Sequence, residues 1–234
     1  MKSHDTRAVL RHRPWITFDL DHTLIDSPYW HLHFLPWLEQ ESGRQSTDMD
    51  TLWHCFQREA NRAWRAGRWV DAFDWPALAE SLGLSRMPAV QQPNPTVIRS
   101  LVLPGVEKML WTLRRYPIRL GLVTNGFSAF QEPFLRALGW DYVFDAIITP
   151  DRTGTAKPNP AIMAAVHPGL VHIGDRLSHD VLVATRSHRG SIHLATGLPE
   201  TDYIDPLSPA MIAPDFSAAN LQEVFALITR LLWT

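Results

Sequence analysis

A short apolar run, Ile16-Thr17-Phe18, ends on two carboxylates, Asp19 and Asp21, with Leu20 between them. On an extended strand alternate side chains share a face, so this spacing turns both acids one way and Leu20 the other. Two like charges about 4 Å apart repel by roughly 4 kcal/mol at an effective dielectric near 20. A fold holds such a pair when a cation lies between the acids, when one is protonated, or when water screens both. Paired carboxylates can serve as nucleophile and general acid, or bind a hard cation. Other apolar runs end on polar residues in the same way. Thr124 and Asn125 follow one run, Asp175 follows another with Asp180 just beyond it, and Lys157 stands in a loop after a third.

Those positions need elements to hold them. Ile16–Asp19, Arg119–Thr124, Phe144–Thr149, Leu170–Gly174 and Ser191–Ala195 read as short apolar strands. Between them lie helical patterns: Gly105–Tyr116, stopped by Pro117, and Ser128–Leu138, ended by Gly139. Ala218–Leu232 repeats apolar residues at helical spacing. The alternation predicts parallel βαβ units in a doubly wound, mainly parallel α/β sheet, which binds ligands beyond the carboxyl ends of its strands. Residues 1–26 and 103–234 make up this core. Residues 27–102 differ, with no alternating strand and six of the ten tryptophans. Thr47–Ala66 predicts an amphipathic helix, with Trp53, Phe56, Ala60, Ala63 and Trp64 on one face and Arg58, Arg62 and Arg65 on the other. Asp74–Leu82 predicts a second helix, Pro28 opens an earlier one that Pro36 kinks, and Met87–Pro95 is a loop. Inserted behind the first strand, this helical segment is expected to cover the ligand edge as a cap.

Four motifs stand in order at the strand ends: Asp19-Leu20-Asp21-His22-Thr23, Val123-Thr124-Asn125-Gly126, Lys157 within Ala156-Lys157-Pro158-Asn159-Pro160, and Gly174-Asp175-Arg176-Leu177-Ser178-His179-Asp180. In these the chain resembles the haloacid dehalogenase-like (HAD) hydrolase superfamily, in its branch with a helical cap after the first strand. The resemblance implies a magnesium-dependent phosphatase acting on a small phosphorylated metabolite: a nucleotide monophosphate, a sugar phosphate or a phosphoglycolate-like acid. It implies that Asp19 is the nucleophile, forming an aspartyl-phosphate, and that Asp21 is the general acid and then the base. Thr124 and the backbone of Asn125 would hold phosphoryl oxygens, with Lys157 balancing their charge. Asp19, the backbone carbonyl of Asp21 and Asp175 would hold Mg²⁺, with Asp180 in support. The chemistry agrees. Phosphate monoesters need accelerations of up to roughly 10²¹, achieved mainly by positioning and by cations facing spread negative charge. An acid at position 21 favours phosphate over halide, because a halide leaves without a proton. The alternatives are a phosphomutase on the same fold, or a catalytically weak binding or regulatory protein.

Two departures from the family pattern matter. Arg176 and His179 stand in the fourth motif where relatives more often have Ser or Thr and Asn, and are expected to alter the metal's outer shell or touch substrate. Only 17 residues separate Lys157 from Asp175. Relatives place a full crossover helix there, whereas Asn159–Val166 allows about two turns, so a loosened fourth strand or an interface is expected. His22 reads as a loop residue beside the site. His31 and His33 lack partners at ligand spacing, Cys55 reads as structural, and the arginine stripe as a solvated face. Trp30 is a candidate for a pocket wall. The net charge of −2 gives no reason to expect nucleic acid. No apolar run approaches the roughly 20 residues needed to span a bilayer, and the first 15 residues carry no signal-like segment. The single cysteine fits a reducing cytoplasm, and a monomer or homodimer is expected.

Overall fold

The computed structural model describes residues 13–197 and 212–233, so the amino-terminal dozen read above for a signal lies outside the described residues. Six strands form one sheet: β1 (Trp15–Phe18), β2 (Arg119–Val123), β3 (Ala146–Ile148), β4 (Gly169–Gly174), β5 (Gly190–Leu194) and β6 (Phe216–Ala218). Their order is β3-β2-β1-β4-β5-β6, and every neighbouring pair is parallel. This is the doubly wound α/β sheet that the sequence predicts. All of β1, and the last four residues of both β2 and β4, are buried, which is why they read as unbroken apolar runs. The order reverses between β1 and β4, and ligands bind in the crevice at such a switch point.

Between β1 and β2 every regular element is helical: α1 (Leu35–Gln45), α2 (Met49–Arg65), α3 (Trp75–Ser81), α4 (Pro95–Ser100) and α5 (Val106–Leu113). Pro28 opens a helical run, as expected, and its π-helical stretch, Trp30–Phe34, passes directly into α1. Pro36 lies within that run at the junction of the π-helical and α-helical parts, where the regular hydrogen-bond ladder is interrupted. Asp48 caps α2 through Thr51 N (2.8 Å), and Asp74 caps α3 through Ala77 N (3.1 Å). The apolar face of α2 lies as its spacing predicts, burying Leu52, Phe56, Ala60, Ala63 and Trp64. One hydrophobic cluster runs without a break from Ile16 and Phe18 in β1 to Phe34, Trp37 and Phe56 in this segment.

The core continues with α6 (Ser128–Leu138), α7 (Pro150–Thr153), α8 (Leu182–Arg186) and α9 (Leu221–Leu232). The last helix starts later than its apolar pattern suggests, because Asn220 caps it at Glu223 N (3.0 Å) and Ala218 belongs to β6. The crossover into β4 is also short, as expected, but it does not loosen that strand. Pro160–Val166 forms seven residues of 3₁₀-helix. Such a helix rises about 2.0 Å per residue against about 1.5 Å for an α-helix, so few residues reach across the sheet. Ile162, Met163 and Val166 pack on Trp15, Val123, Ile148 and Val183, and β4 stays paired in parallel with β1 and β5, with one register shift against β1 between Trp15 and Ile16. Among the described residues no helix is long and apolar enough to cross a membrane.

Candidate active site

Strand β1 stops at Phe18, so Asp19 and Asp21 lie just past it and not on it. Asp19 N donates to Ile173 O (2.8 Å), extending the β1–β4 pairing by one residue. Leu20 enters the core, and the N–H groups of Thr23 and Leu24 return to its carbonyl. His22 takes a left-handed φ of 59° in this turn, directly after Asp21. A cavity of about 280 Å³ opens there. Its walls include all seven residues selected from the sequence: Asp19, Asp21, Thr124, Asn125, Lys157, Asp175 and Asp180.

Lys157 is 2% exposed, and its Nζ lies 2.5 Å from Asp19 Oδ1 and 2.6 Å from Asp180 Oδ1. Asn125 fixes the lysine's backbone: Lys157 N donates to Asn125 Oδ1 (2.8 Å) and Asn125 Nδ2 donates to Lys157 O (3.1 Å). The side chain of Asn125 thus sets where the lysine stands. Thr124 is buried and its hydroxyl accepts from Gly126 N (3.0 Å). Asp19, Asp175 and Asp180 each offer one carboxylate oxygen, all within 4.8 Å of one another. The Asp21 carboxylate stands apart from this group and accepts from Gln131 Nε2 (2.7 Å).

Burial, opposed by Lys157 and reinforced by Asp180, pushes the Asp19 carboxyl up to about 7. Burial and the charges of Asp19 and Asp180 raise Asp175 well above the usual carboxylate range. Asp180 goes the other way, because Lys157 and His172 outweigh its burial and hold it ionised. Lys157 stays charged, since Asp180 and Asp19 outweigh the desolvation of its ammonium. One buried lysine therefore faces three buried acids. Their hard oxygens, close enough to share one ion, fit a hard divalent cation such as Mg²⁺.

Several neighbours escape a motif-based reading. His172 is buried within β4 and held neutral, because burial lowers its pKa to about 4. Its Nε2 lies 3.1 Å from the ionised Asp180 and so carries the proton, while Nδ1 accepts from Thr17 Oγ1 (2.9 Å). A histidine in an otherwise apolar strand is the signal that could have found it. Gln131 shares the inward face of α6 with Phe134, Leu135 and Leu138, and a lone polar residue at those offsets was likewise legible. Gly126 makes room for it, because a Cβ there would lie 2.1 Å from Gln131 Nε2.

Of the two departures in the fourth motif, Arg176 places Nε 3.3 Å from Asp175 Oδ2. The His179 ring lies 5.9 Å from those of both Trp64 and Phe73, so it joins the fourth motif to the helical segment. The arginine stripe faces away: Arg58, Arg62 and Arg65 are exposed, and Arg62 pairs with Glu59 at 2.7 Å. None of the three lines the cavity, so the solvated-face reading holds. His22 and His31 both approach Asp26, and His33 bonds Pro88 O.

The chain is similar to several known proteins. A Dickeya dadantii protein named "Probable phosphatase IndB" is 27% identical over 88% of this chain and 91% of its own. The phosphoglycolate phosphatase of Colwellia psychrerythraea is 26% identical over 86% of this chain and 92% of its own. The HAD phosphatase from Thermococcus onnurineus has the same fold, with a TM-score of 0.66 at 22% identity, covering 92% of this chain and 97% of that one. The family described as haloacid dehalogenase-like hydrolase matches residues 14–187, from the start of β1 through the fourth motif, and the chain belongs to that family.

Proposed function

We propose that the protein is a magnesium-dependent phosphatase that hydrolyses a small phosphate monoester through an aspartyl-phosphate on Asp19. The observation that carries this reading is that Asp19, Asp21, Thr124, Lys157 and Asp175, from four separate stretches of chain, line one cavity at the switch point of the sheet. An Asp19 oxygen attacks phosphorus, the bond from phosphorus to the alcohol oxygen breaks, and Asp21 gives its proton to that oxygen. Burial raises the Asp21 carboxyl, which favours the protonated form that a general acid needs. Asp21, now ionised, takes a proton from a water that attacks phosphorus, releasing inorganic phosphate and the Asp19 carboxylate. Lys157 and the N–H groups around Thr124 and Asn125 face the charge on the phosphoryl oxygens. A divalent cation held by Asp19 and Asp175, with Asp180 alongside, would add positive charge against the anionic group.

Residues 27–102 act as the cap in this reading. Tyr29, Trp30, Trp53, Phe73 and Trp75 supply the wall opposite the acids, which excludes water from the reacting group. Membership of the family and the similarity to proteins named as phosphatases support the proposal. A phosphate-release screen over small phosphate esters, with and without magnesium, tests it. Release should require magnesium and vanish in Asp19→Asn. Undiminished release from Asp19→Asn would remove the aspartyl-phosphate route.

A further inference from the structure

The alcohol that carries the phosphoryl group must lie against the wall facing Asp19 and Asp21. The cavity lining offers six apolar rings, Tyr29, Trp30, Trp53, Phe73, Trp75 and Phe130, beside the imidazoles of His22 and His179. Tyr29 stacks on Phe130 with centroids 4.5 Å apart and planes at 21°. Trp30 meets Trp53 at 4.9 Å and Trp75 at 6.0 Å, both edge to face. Rings held this way present faces and edges that a further flat ring can join in stacked or T-shaped contact. The only other residue that segment 27–102 gives the cavity is Ser27, so it contributes no charged side chain.

The cations in the cavity wall are already engaged, Lys157 with Asp19 and Asp180 and Arg176 with Asp175. A second anionic group on the substrate would lose its hydration against rings, with no cation from the helical segment to replace it. Size narrows the choice further. An apolar cavity of about 150 Å³ takes up benzene, so 280 Å³ accommodates a phosphoryl group and one ring. The Tyr29 hydroxyl is buried with no hydrogen-bond partner among the described residues.

Building on the phosphatase reading, we propose that the substrate is a phosphate monoester whose alcohol carries a single flat, uncharged aromatic or heteroaromatic ring. The test compares kcat/KM of the full chain with magnesium for benzyl phosphate, cyclohexylmethyl phosphate and 2-phosphoglycolate. The first two are alkyl esters of similar size, so their ratio reports the ring. Benzyl phosphate should exceed each of the others at least tenfold, and Trp75→Leu should lower its advantage over cyclohexylmethyl phosphate at least threefold. Equal rates for the two alkyl esters, or a preference for phosphoglycolate, would overturn the proposal. Quenching of tryptophan fluorescence by benzylphosphonate, against cyclohexylmethylphosphonate, gives a second readout that needs neither turnover nor a folded variant. There too a tenfold difference in Kd is expected, and equal values refute it. Absence of phosphate release from all three esters, with preferential benzylphosphonate binding retained, would count against the phosphatase reading and leave the ring specificity standing.

Discussion

Replacing Lys157 by methionine removes the ammonium and keeps most of the side chain's length and apolar stem. In the native structure that ammonium lies 2.5 Å from Asp19 and 2.6 Å from Asp180, and all three side chains are buried. Removing one partner of a buried ion pair costs about 3–5 kcal/mol, because the remaining charge is left without compensation. For a chain of this size each kcal/mol moves Tm by about 2–4 °C, so Lys157→Met should melt about 6–20 °C below the wild type. Thermal unfolding followed by circular dichroism in EDTA measures this directly. Magnesium should raise Tm more in the variant than in the wild type, because a cation at Asp19, Asp175 and Asp180 would restore some of the missing charge. Phosphate release should fall at least about 100-fold, the effect of losing a preorganised donor to the transition state. A variant melting within about 2 °C of the wild type in EDTA would refute the reasoning, since the lysine would then not be what holds these acids in the fold.

Three further outcomes are expected. Asp21→Asn should lower kcat by about 10²–10⁴-fold, the usual share of a general acid, with the largest losses in phosphate-release assays on esters of the least acidic alcohols; a uniform loss across alcohols would assign Asp21 another role. Gly174→Ala should destabilise by about 1–3 kcal/mol and impair turnover, because its Cβ would lie 2.1 Å from Asp180 Cγ, and an unchanged melting curve would contradict this. Far from the site, Glu41 is 1% exposed and accepts hydrogen bonds from Gln45 and Ser85 that hold its carboxyl below the ordinary 4.5. A lowered native pKa adds stability above 4.5 that is lost as pH falls. Glu41→Gln should therefore be less stable than the wild type at pH 7 by the worth of a charged hydrogen bond, about 1.5–3 kcal/mol, with the gap narrowing as pH falls below 4.5; a constant gap would refute it.

What could be read from the sequence follows from burial. In a parallel sheet covered on both faces, a polar side chain has few places to go but the strand end, so Asp19, Thr124 and Asp175 mark both the strands and the crevice. β6 was illegible for the opposite reason: three residues at the sheet edge, Phe216–Ala218, are too few to show a period, and Ala218 reads equally well as helix. The 3₁₀ crossover was legible as a length but not as a shape, since the pitch is chosen by how Ile162 and Val166 reach the sheet. The rings of the cavity wall show the same limit. The periodicity of α2 puts Trp53 and Trp64 on one face, yet Trp53 reaches the cavity while Trp64 packs with Trp69, Phe73 and His179. That division depends on how α2 meets its neighbours, which no single helix encodes.

The partners of the acids explain how like charges gathered in one crevice can take different roles. Asp180 is the most heavily engaged, accepting from Lys157 (2.6 Å), His172 (3.1 Å) and Arg176 N (3.0 Å), so it is fixed and ionised and suited to support. Asp19 shares the lysine at 2.5 Å through Oδ1. Asp21 is bonded by a neutral amide, Gln131, where a cation would have held it ionised. A guanidinium or ammonium at position 131 would lower the Asp21 pKa and deprive it of the proton an alcohol needs in order to leave. Environments that push carboxyl pKa values apart are what assign acid and nucleophile within one fold. Here burial raises Asp21 and the hydrogen bond from Gln131 opposes it only in part, whereas Lys157 and His172 outweigh burial and hold Asp180 ionised. The motifs bring the acids to the crevice, and the residues packed behind them decide which acid can do which step.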